Sequence, residues 1–136
     1  MSATILFADD ELHFIEGLIE TVKAEGFTVL TCRNASRAVE ITTTQKIDCL
    51  VIDIMMDPGP SLKNQNPQVA GLAAISEIQQ AVPRQSIICY SVISDPELIE
   101  KLKRLGVLYL RKAETSADAA LKMIAAKATG IYRARE

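Results

Sequence analysis

The sequence predicts an α/β protein, a doubly wound parallel sheet covered by helices on both faces. Short runs of strand length, such as Thr4-Ile5-Leu6-Phe7-Ala8 and Cys49-Leu50-Val51-Ile52, are apolar throughout instead of alternating, as strands buried on both faces require. Each run is followed by a stretch with apolar residues at helical spacing, so the pattern is β then α, about five times over. The runs also stop on charged or hydroxyl residues, and in such a sheet sites form beyond the carboxyl ends of the strands.

The elements follow in order. After Asp10, residues Glu11 to Glu25 carry Leu12, Ile15, Leu18, Ile19 and Val22 at helical spacing, and Gly26 supplies the stop. Phe27 to Thr31 reads as a strand of β-branched and aromatic residues. Asn34 caps a helix running to about Gln45, and Ile47 to Asp53 is the third strand. The segment from Met55 to about Gln68 is a loop punctuated by Pro58, Gly59, Pro60, Asn64, Asn66 and Pro67. It is much longer than the handful of residues usual in a βα connection. Val69 to Val82 is a helix ended by Pro83, and Ser86 to Tyr90 a buried strand followed by Ser91. The next helix opens at Ser94-Asp95-Pro96-Glu97. Ser94 with Glu97 makes a capping box, and Asp95 capping with Pro96 in the first helical position fits nearly as well. Val107 to Leu110 is the last strand, stopping on Arg111-Lys112. Thr115 or Ser116 caps the last helix, which Gly130 ends. Residues 1–130 form one domain and 131–136 a charged tail.

Composition excludes several classes of function. The 136 residues carry a net charge of −2, so there is no basic footprint for direct nucleic-acid binding. No run approaches the roughly 18 apolar residues of a membrane span, and Met1-Ser2-Ala3-Thr4 lacks the features of a signal peptide. Three cysteines, Cys32, Cys49 and Cys89, are far apart, and the last two lie in apolar runs. They read as small buried hydrophobes in a reducing cytoplasm. His13 is the only histidine and reads as a surface residue.

The chemistry is at the strand ends. Read in order they offer Asp9 and Asp10, Asp53, Ser91 and Lys112. Carboxylates crowded together repel unless a cation sits among them, and an all-oxygen set favours a hard ion, Mg2+ first. Lys112 and the Ser91 hydroxyl suit a bound anion with several oxygens, such as a phosphoryl group, whose transfer needs little beyond positioning and charge neutralisation. Asp53 is the candidate covalent acceptor. Each residue also has a plainer role: Asp9 or Asp10 as a helix N-cap, Lys112 as a solvated charge, Ser91 as a turn residue.

Phe7-Ala8-Asp9-Asp10-Glu11, Val51-Ile52-Asp53, Cys89-Tyr90-Ser91-Val92 and Tyr109-Leu110-Arg111-Lys112, in order and on successive strand ends, resemble the receiver domain of two-component response regulators. The resemblance covers nearly the whole chain and implies a flavodoxin-like, five-stranded sheet of order 2-1-3-4-5. It further implies that Asp53 takes a phosphoryl group from a histidine kinase or histidine phosphotransfer protein. Asp9, Asp10, Asp53 and the backbone carbonyl of Met55 would hold Mg2+. Ser91 would bond the phosphoryl oxygen and move toward it, Lys112 would pair with its charge, and Tyr109 would be the switch aromatic. The response would then bias a protein–protein surface between about Asp95 and Gly130. Such a chain catalyses only its own aspartyl phosphotransfer and dephosphorylation. It acts through an output protein or an effector domain beyond it, with no nucleic-acid or membrane contact of its own.

Two features depart from the family. Ala113 stands where a proline usually follows the lysine, so the peptide before it is either trans or a cis bond held by context at a cost of about 2.5–4 kcal/mol. The glycine that usually lies a few residues after the acceptor is Gly71, 18 positions beyond Asp53 (71 − 53). Pro58 to Pro67 is thus an insertion beside the candidate acceptor, read as a gating or partner-specific lid or else as a plain flexible loop. Two other classes compete. An aspartyl-nucleophile hydrolase needs a second Asp two residues after the first, where Met55 stands. A phosphorylation-independent pseudo-receiver would act only as a binding module.

Overall fold

The computed structural model describes residues 2–130. The expected charged tail, 131–136, lies outside the described residues, as does Met1. The strands are β1 (Thr4–Ala8), β2 (Thr28–Cys32), β3 (Cys49–Ile52), β4 (Ile87–Ser91) and β5 (Leu108–Arg111). They form one parallel sheet in the order β2-β1-β3-β4-β5. The helices are α1 (Glu16–Ala24), α2 (Ala35–Thr44), α3 (Ala70–Ala81), α4 (Pro96–Arg104) and α5 (Ala117–Thr129). This is the α/β architecture that the sequence predicts and the strand order that the resemblance implies.

Period-two alternation within the fully apolar strands divides the core. Leu6, Ala8, Leu50 and Ile52 face the layer containing α2 and α3, where they meet Ala38, Ile41, Ala74, Ile75 and Ile78. Ile5, Phe7, Cys49 and Val51 face the opposite layer, against Leu18, Ile19 and Val22 of α1 and Ala120 and Ile124 of α5. Both faces are dry, which is why neither strand could show a polar–apolar alternation.

The local signals differ from the sequence reading in instructive places. The first helix begins as a 3-10 turn, Leu12–Ile15, before becoming α-helical at Glu16, and no side chain caps either segment. Asn34 caps α2 through Arg37 N–H at 2.8 Å. Of the two alternatives at α4, Asp95 is the cap, accepting from Glu97 N–H at 3.0 Å with Pro96 in the first turn. Ser116, not Thr115, caps α5, and Gly130 closes it in the left-handed region at φ 74°. The described residues contain no cis peptide, so the Lys112–Ala113 bond is trans.

The register brings the strand ends together. Ala8 lies opposite Ile52, Ile52 opposite Cys89, and Ser91 opposite Arg111. Two further backbone bonds carry the ladder past the strand ends, Asp53 N–H to the Ala8 carbonyl at 3.1 Å and Lys112 N–H to the Ser91 carbonyl at 2.9 Å. The residues that follow β1, β3 and β5, and the last of β4, therefore share one edge of the sheet.

Candidate functional site

Lys112 joins the site together. Its Nζ donates to Asp9 Oδ2 at 2.7 Å and to Asp53 Oδ2 at 2.8 Å, spanning the ends of β1, β3 and β5. Both carboxylates are nearly buried, Asp9 at 2% exposure and Asp53 at 6%. Buried charges of this kind persist only when paired and hydrogen-bonded. Burial by itself would depress the Lys112 ammonium, but its hydrogen bonds to Asp53 and Asp9, and their charges, outweigh that and raise its pKa above the usual lysine value. The lysine is thus held as a cation. Its Nζ also lies 5.9 Å from the centroid of the Tyr90 ring.

The other oxygen of Asp53 is equally engaged. Oδ1 accepts from the Ser91 hydroxyl at 2.5 Å and from Met55 N–H at 3.2 Å. Asp9 Oδ1 accepts from Glu11 N–H at 2.9 Å, so this aspartate serves an amide just ahead of the 3-10 turn without being a helix cap. Asp10 is exposed and turns to the other side of the site, its Oδ2 accepting from Asp57 N–H at 3.1 Å. Tyr109 donates its hydroxyl to the Ile93 carbonyl and, at 3.4 Å, to that of Ser91, linking β5 to the loop after β4. Burial raises the Tyr109 pKa first, with nearby negative groups adding to it, so the phenol stays a donor.

An open cleft of about 660 Å³ lies over this edge, lined in part by Asp10, Asp53, Met55, Asp57, Gln68 and Lys112. Two exposed apolar side chains flank it, Phe14 at 69% and Val92 at 48% exposure. His13, exposed as expected, stacks against Phe14.

Of the strand-end residues named from the sequence, Asp9, Asp53, Ser91 and Lys112 meet through direct hydrogen bonds. Two carboxylates share one ammonium and Asp10 lines the same cleft, and the resulting excess of negative charge, on oxygen donors alone, fits a hard divalent cation by charge and atom type. As placed, no group of three acidic, histidine or cysteine side chains among the described residues is already closed around a metal position. Asp10 is the member that stands apart, held by Asp57.

Two features were not foreseen. Gly71 packs on the end of β3 so closely that a Cβ would fall 2.0 Å from the Asp53 carbonyl oxygen and 2.7 Å from Ile54 Cα. Its N–H donates to the Ile54 carbonyl at 2.8 Å. This close approach of the two backbones is why position 71 requires a glycine. The insertion itself is no free loop. Asp57 bridges to Asn34, and Pro58, Ser61 and Leu62 hydrogen-bond to Ser36 at the start of α2. Its first half lies against α2, not across the site as a lid, and its last residue, Pro67, lines the cleft beside Gln68. Nothing in the sequence signals the Ser36 contact, which joins residues about 25 apart.

With the fold and the site in place, the chain can be compared with known proteins. It belongs to the response regulator receiver domain family, which it matches over residues 5–125. It superposes on a CheY-like response regulator receiver domain protein from Methanospirillum hungatei with a TM-score of 0.81, at 16% identity and 98% coverage of both chains. A response regulator protein from Burkholderia pseudomallei, solved with a phosphorylated aspartic acid, a calcium ion and citrate, aligns at a TM-score of 0.71 and 18% identity, covering 98% of this chain and 73% of that one. A cyclic di-GMP phosphodiesterase of Thermotoga maritima is 22% identical over 103 residues, 76% of this chain but only 25% of that protein. The chain thus spans about a quarter of that relative's length. Among the described residues no helix is long and apolar enough to cross a membrane.

Proposed function

We propose that this receiver domain is a phosphoacceptor switch in which Asp53 is the acceptor. The observation that carries the reading is the double engagement of Asp53, a buried carboxylate at the floor of an open cleft with Lys112 on one oxygen and Ser91 on the other. A carboxylate oxygen of Asp53 attacks the phosphorus of a phosphohistidine, a P–O bond forms, and the P–N bond of the donor breaks. Histidine kinases and histidine phosphotransfer proteins are the donors of that chemistry. Lys112 neutralises charge that develops on the phosphoryl oxygens. The Ser91 hydroxyl, now given to Asp53 Oδ1, is positioned to transfer its hydrogen bond to a phosphoryl oxygen. Moving Ser91 disturbs the loop to which Tyr109 is bonded, and this offers a path to the surface formed by α4, β5 and α5.

Asp9, Asp10, Asp53 and the Met55 carbonyl are the ligands proposed for Mg2+, which when bound would offset the negative charge of the carboxylates and of the incoming phosphoryl group. The similar response regulator solved with a phosphorylated aspartic acid and a calcium ion supports divalent-ion binding and aspartyl phosphorylation here. Phosphoaspartate formation and its hydrolysis are the only reactions proposed. The partner at the output surface is a protein or an effector domain. Three buried free thiols suit a cytoplasmic, reducing location.

The test is incubation with acetyl phosphate and Mg2+, followed by intact mass and peptide mapping. A single phosphoryl adduct on the peptide containing Asp53, absent in Asp53→Asn, is expected. An unlabelled wild-type chain would leave a phosphorylation-independent binding module, and turnover of many phosphate esters would mark a hydrolase.

A further inference from the structure

The segment 57–62 comprises Asp57 and the start of the insertion, and it is tied at both ends. At one end Asp57 N–H donates to Asp10 Oδ2 at 3.1 Å. At the other it is fixed to the N-terminus of α2. Ala35 N–H donates to the Asp57 carbonyl at 2.8 Å and Ser36 N–H to the Pro58 carbonyl at 2.9 Å. The Ser36 hydroxyl, on a residue only 8% exposed, donates to the same Pro58 carbonyl at 2.6 Å. It also accepts from Ser61 N–H at 3.0 Å and from Leu62 N–H at 3.2 Å. One side chain thus binds three backbone groups of the insertion. Gly59 fits between them in the left-handed region at φ 76°, where a Cβ would meet Asn34 Oδ1 at 2.5 Å and Ser36 Oγ at 2.7 Å. Leu62 is buried beneath, and the Asp57 carboxylate closes the turn by accepting from Gly59 N–H at 2.9 Å.

We infer that segment 57–62 is a strap that positions Asp10 for the divalent ion, with Ser36 as its anchor and positioning residue. The inference rests on the receiver reading above. Asp10 is the one exposed acid of the three and, unlike Asp9 and Asp53, has no bond to Lys112 to orient it. An exposed aspartate sweeps several rotamers, and fixing one of them lowers the entropy lost when a cation binds. Hydrogen bonds from neighbouring groups to a ligating carboxylate serve this orienting role in metal sites generally. The Asp57 amide occupies Oδ2 and leaves the other oxygen for a cation in the cleft that Asp10 lines. The insertion accordingly acts from behind the metal ligand, not from above the acceptor.

The experiment titrates Mn2+ into the full chain, with free ion read by electron paramagnetic resonance. The variants are Ser36→Ala and Gly59→Ala, which loosen the strap from two sides without touching the site, and Thr42→Ala as a control. Thr42 is buried in the same helix and its hydroxyl donates to the Ala38 and Val39 carbonyls within that helix, so its loss weakens α2 but not the strap. Ser36→Ala and Gly59→Ala are expected to weaken Mn2+ binding about threefold to tenfold, somewhat less than loss of a direct partner of a ligand. The Mg2+ concentration for half-maximal labelling by acetyl phosphate should rise by the same factor, with the rate at saturating Mg2+ unchanged. Unchanged or tighter Mn2+ binding in both strap variants overturns the inference, as does equal weakening by Thr42→Ala. A wild-type chain that binds no Mn2+ overturns the receiver reading and this inference together.

Discussion

The two sides of the site are built differently. On one side the chain leaves β3, passes through the insertion and reaches α3. Met56 and Leu62 are buried, the strap is hydrogen-bonded to α2, and Gly71 is packed against the backbone of Asp53 itself. On the other side the chain leaves β4 at Ser91 and crosses Val92, Ile93 and Ser94 to the cap of α4. Val92 is half exposed, and the side-chain tie to that loop is the Tyr109 hydroxyl. Regions with few buried contacts open at lower free energy than packed ones. A site with one fixed and one loosely held wall can keep its ligands in place while transmitting a change, because only the loose wall has an alternative arrangement within reach.

The comparison breaks most visibly at Gly71. Replacing it with alanine puts a Cβ into the Asp53 carbonyl, a backbone clash that no side-chain rotation relieves. Gly71→Ala is expected to cost about 3 kcal/mol or more in urea unfolding. Gly17→Ala, in α1 with nothing within 4 Å of the new Cβ, should instead stabilise by about 0.4–1 kcal/mol. If the two alanines behave alike, the fixed wall is not fixed by packing.

A smaller effect per group comes from the thiols, one near each wall. Burial pushes Cys32, beside the start of α2, to about 11 from the ordinary 9.0, and raises Cys89, on β4, further. Cys49, beneath the sheet's other face, is pushed to about 12. Each is an acid whose folded form keeps its proton when the unfolded chain has lost it. The stability they contribute is therefore complete below about pH 9 and is lost as pH rises above it. The slope is about 1.4 kcal/mol per pH unit per thiol at most. Urea midpoints measured between pH 8 and 10.5 should fall, and Cys32→Ala or Cys89→Ala should each flatten the curve. A flat curve in the wild-type chain would contradict the burial of these groups.

How far the sequence reveals this arrangement depends on how local each cause is. The covered parallel sheet and the meeting of Asp9, Asp53, Ser91 and Lys112 were legible because uninterrupted apolar strands dictate such a sheet, which gathers its strand ends along one edge, whereas the strand order came only with the family resemblance. The choice between Ser94 and Asp95 as cap was not, since both place an acceptor within reach of Glu97 and only the backbone angles decide. The 3-10 start of the first helix was hidden for a similar reason, because apolar spacing is nearly the same in both helix types over one turn. The length of the insertion was plain, but its docking was not. Proline, glycine and asparagine announce a turn without saying what it packs on, and the Ser36 hydroxyl that holds it gives no sign in a helix's first turn.

The most direct test is backbone amide hydrogen exchange on the full chain with Mg2+, with and without beryllofluoride as a mimic of the phosphoryl group. The account predicts changed exchange at Val92 to Ser94 and around Tyr109, a change lost in Asp53→Asn, with unchanged protection of the amides of Ala35, Ser36, Ser61 and Leu62. Changes confined to the strap, or equal on both walls, or persisting in Asp53→Asn, would contradict it.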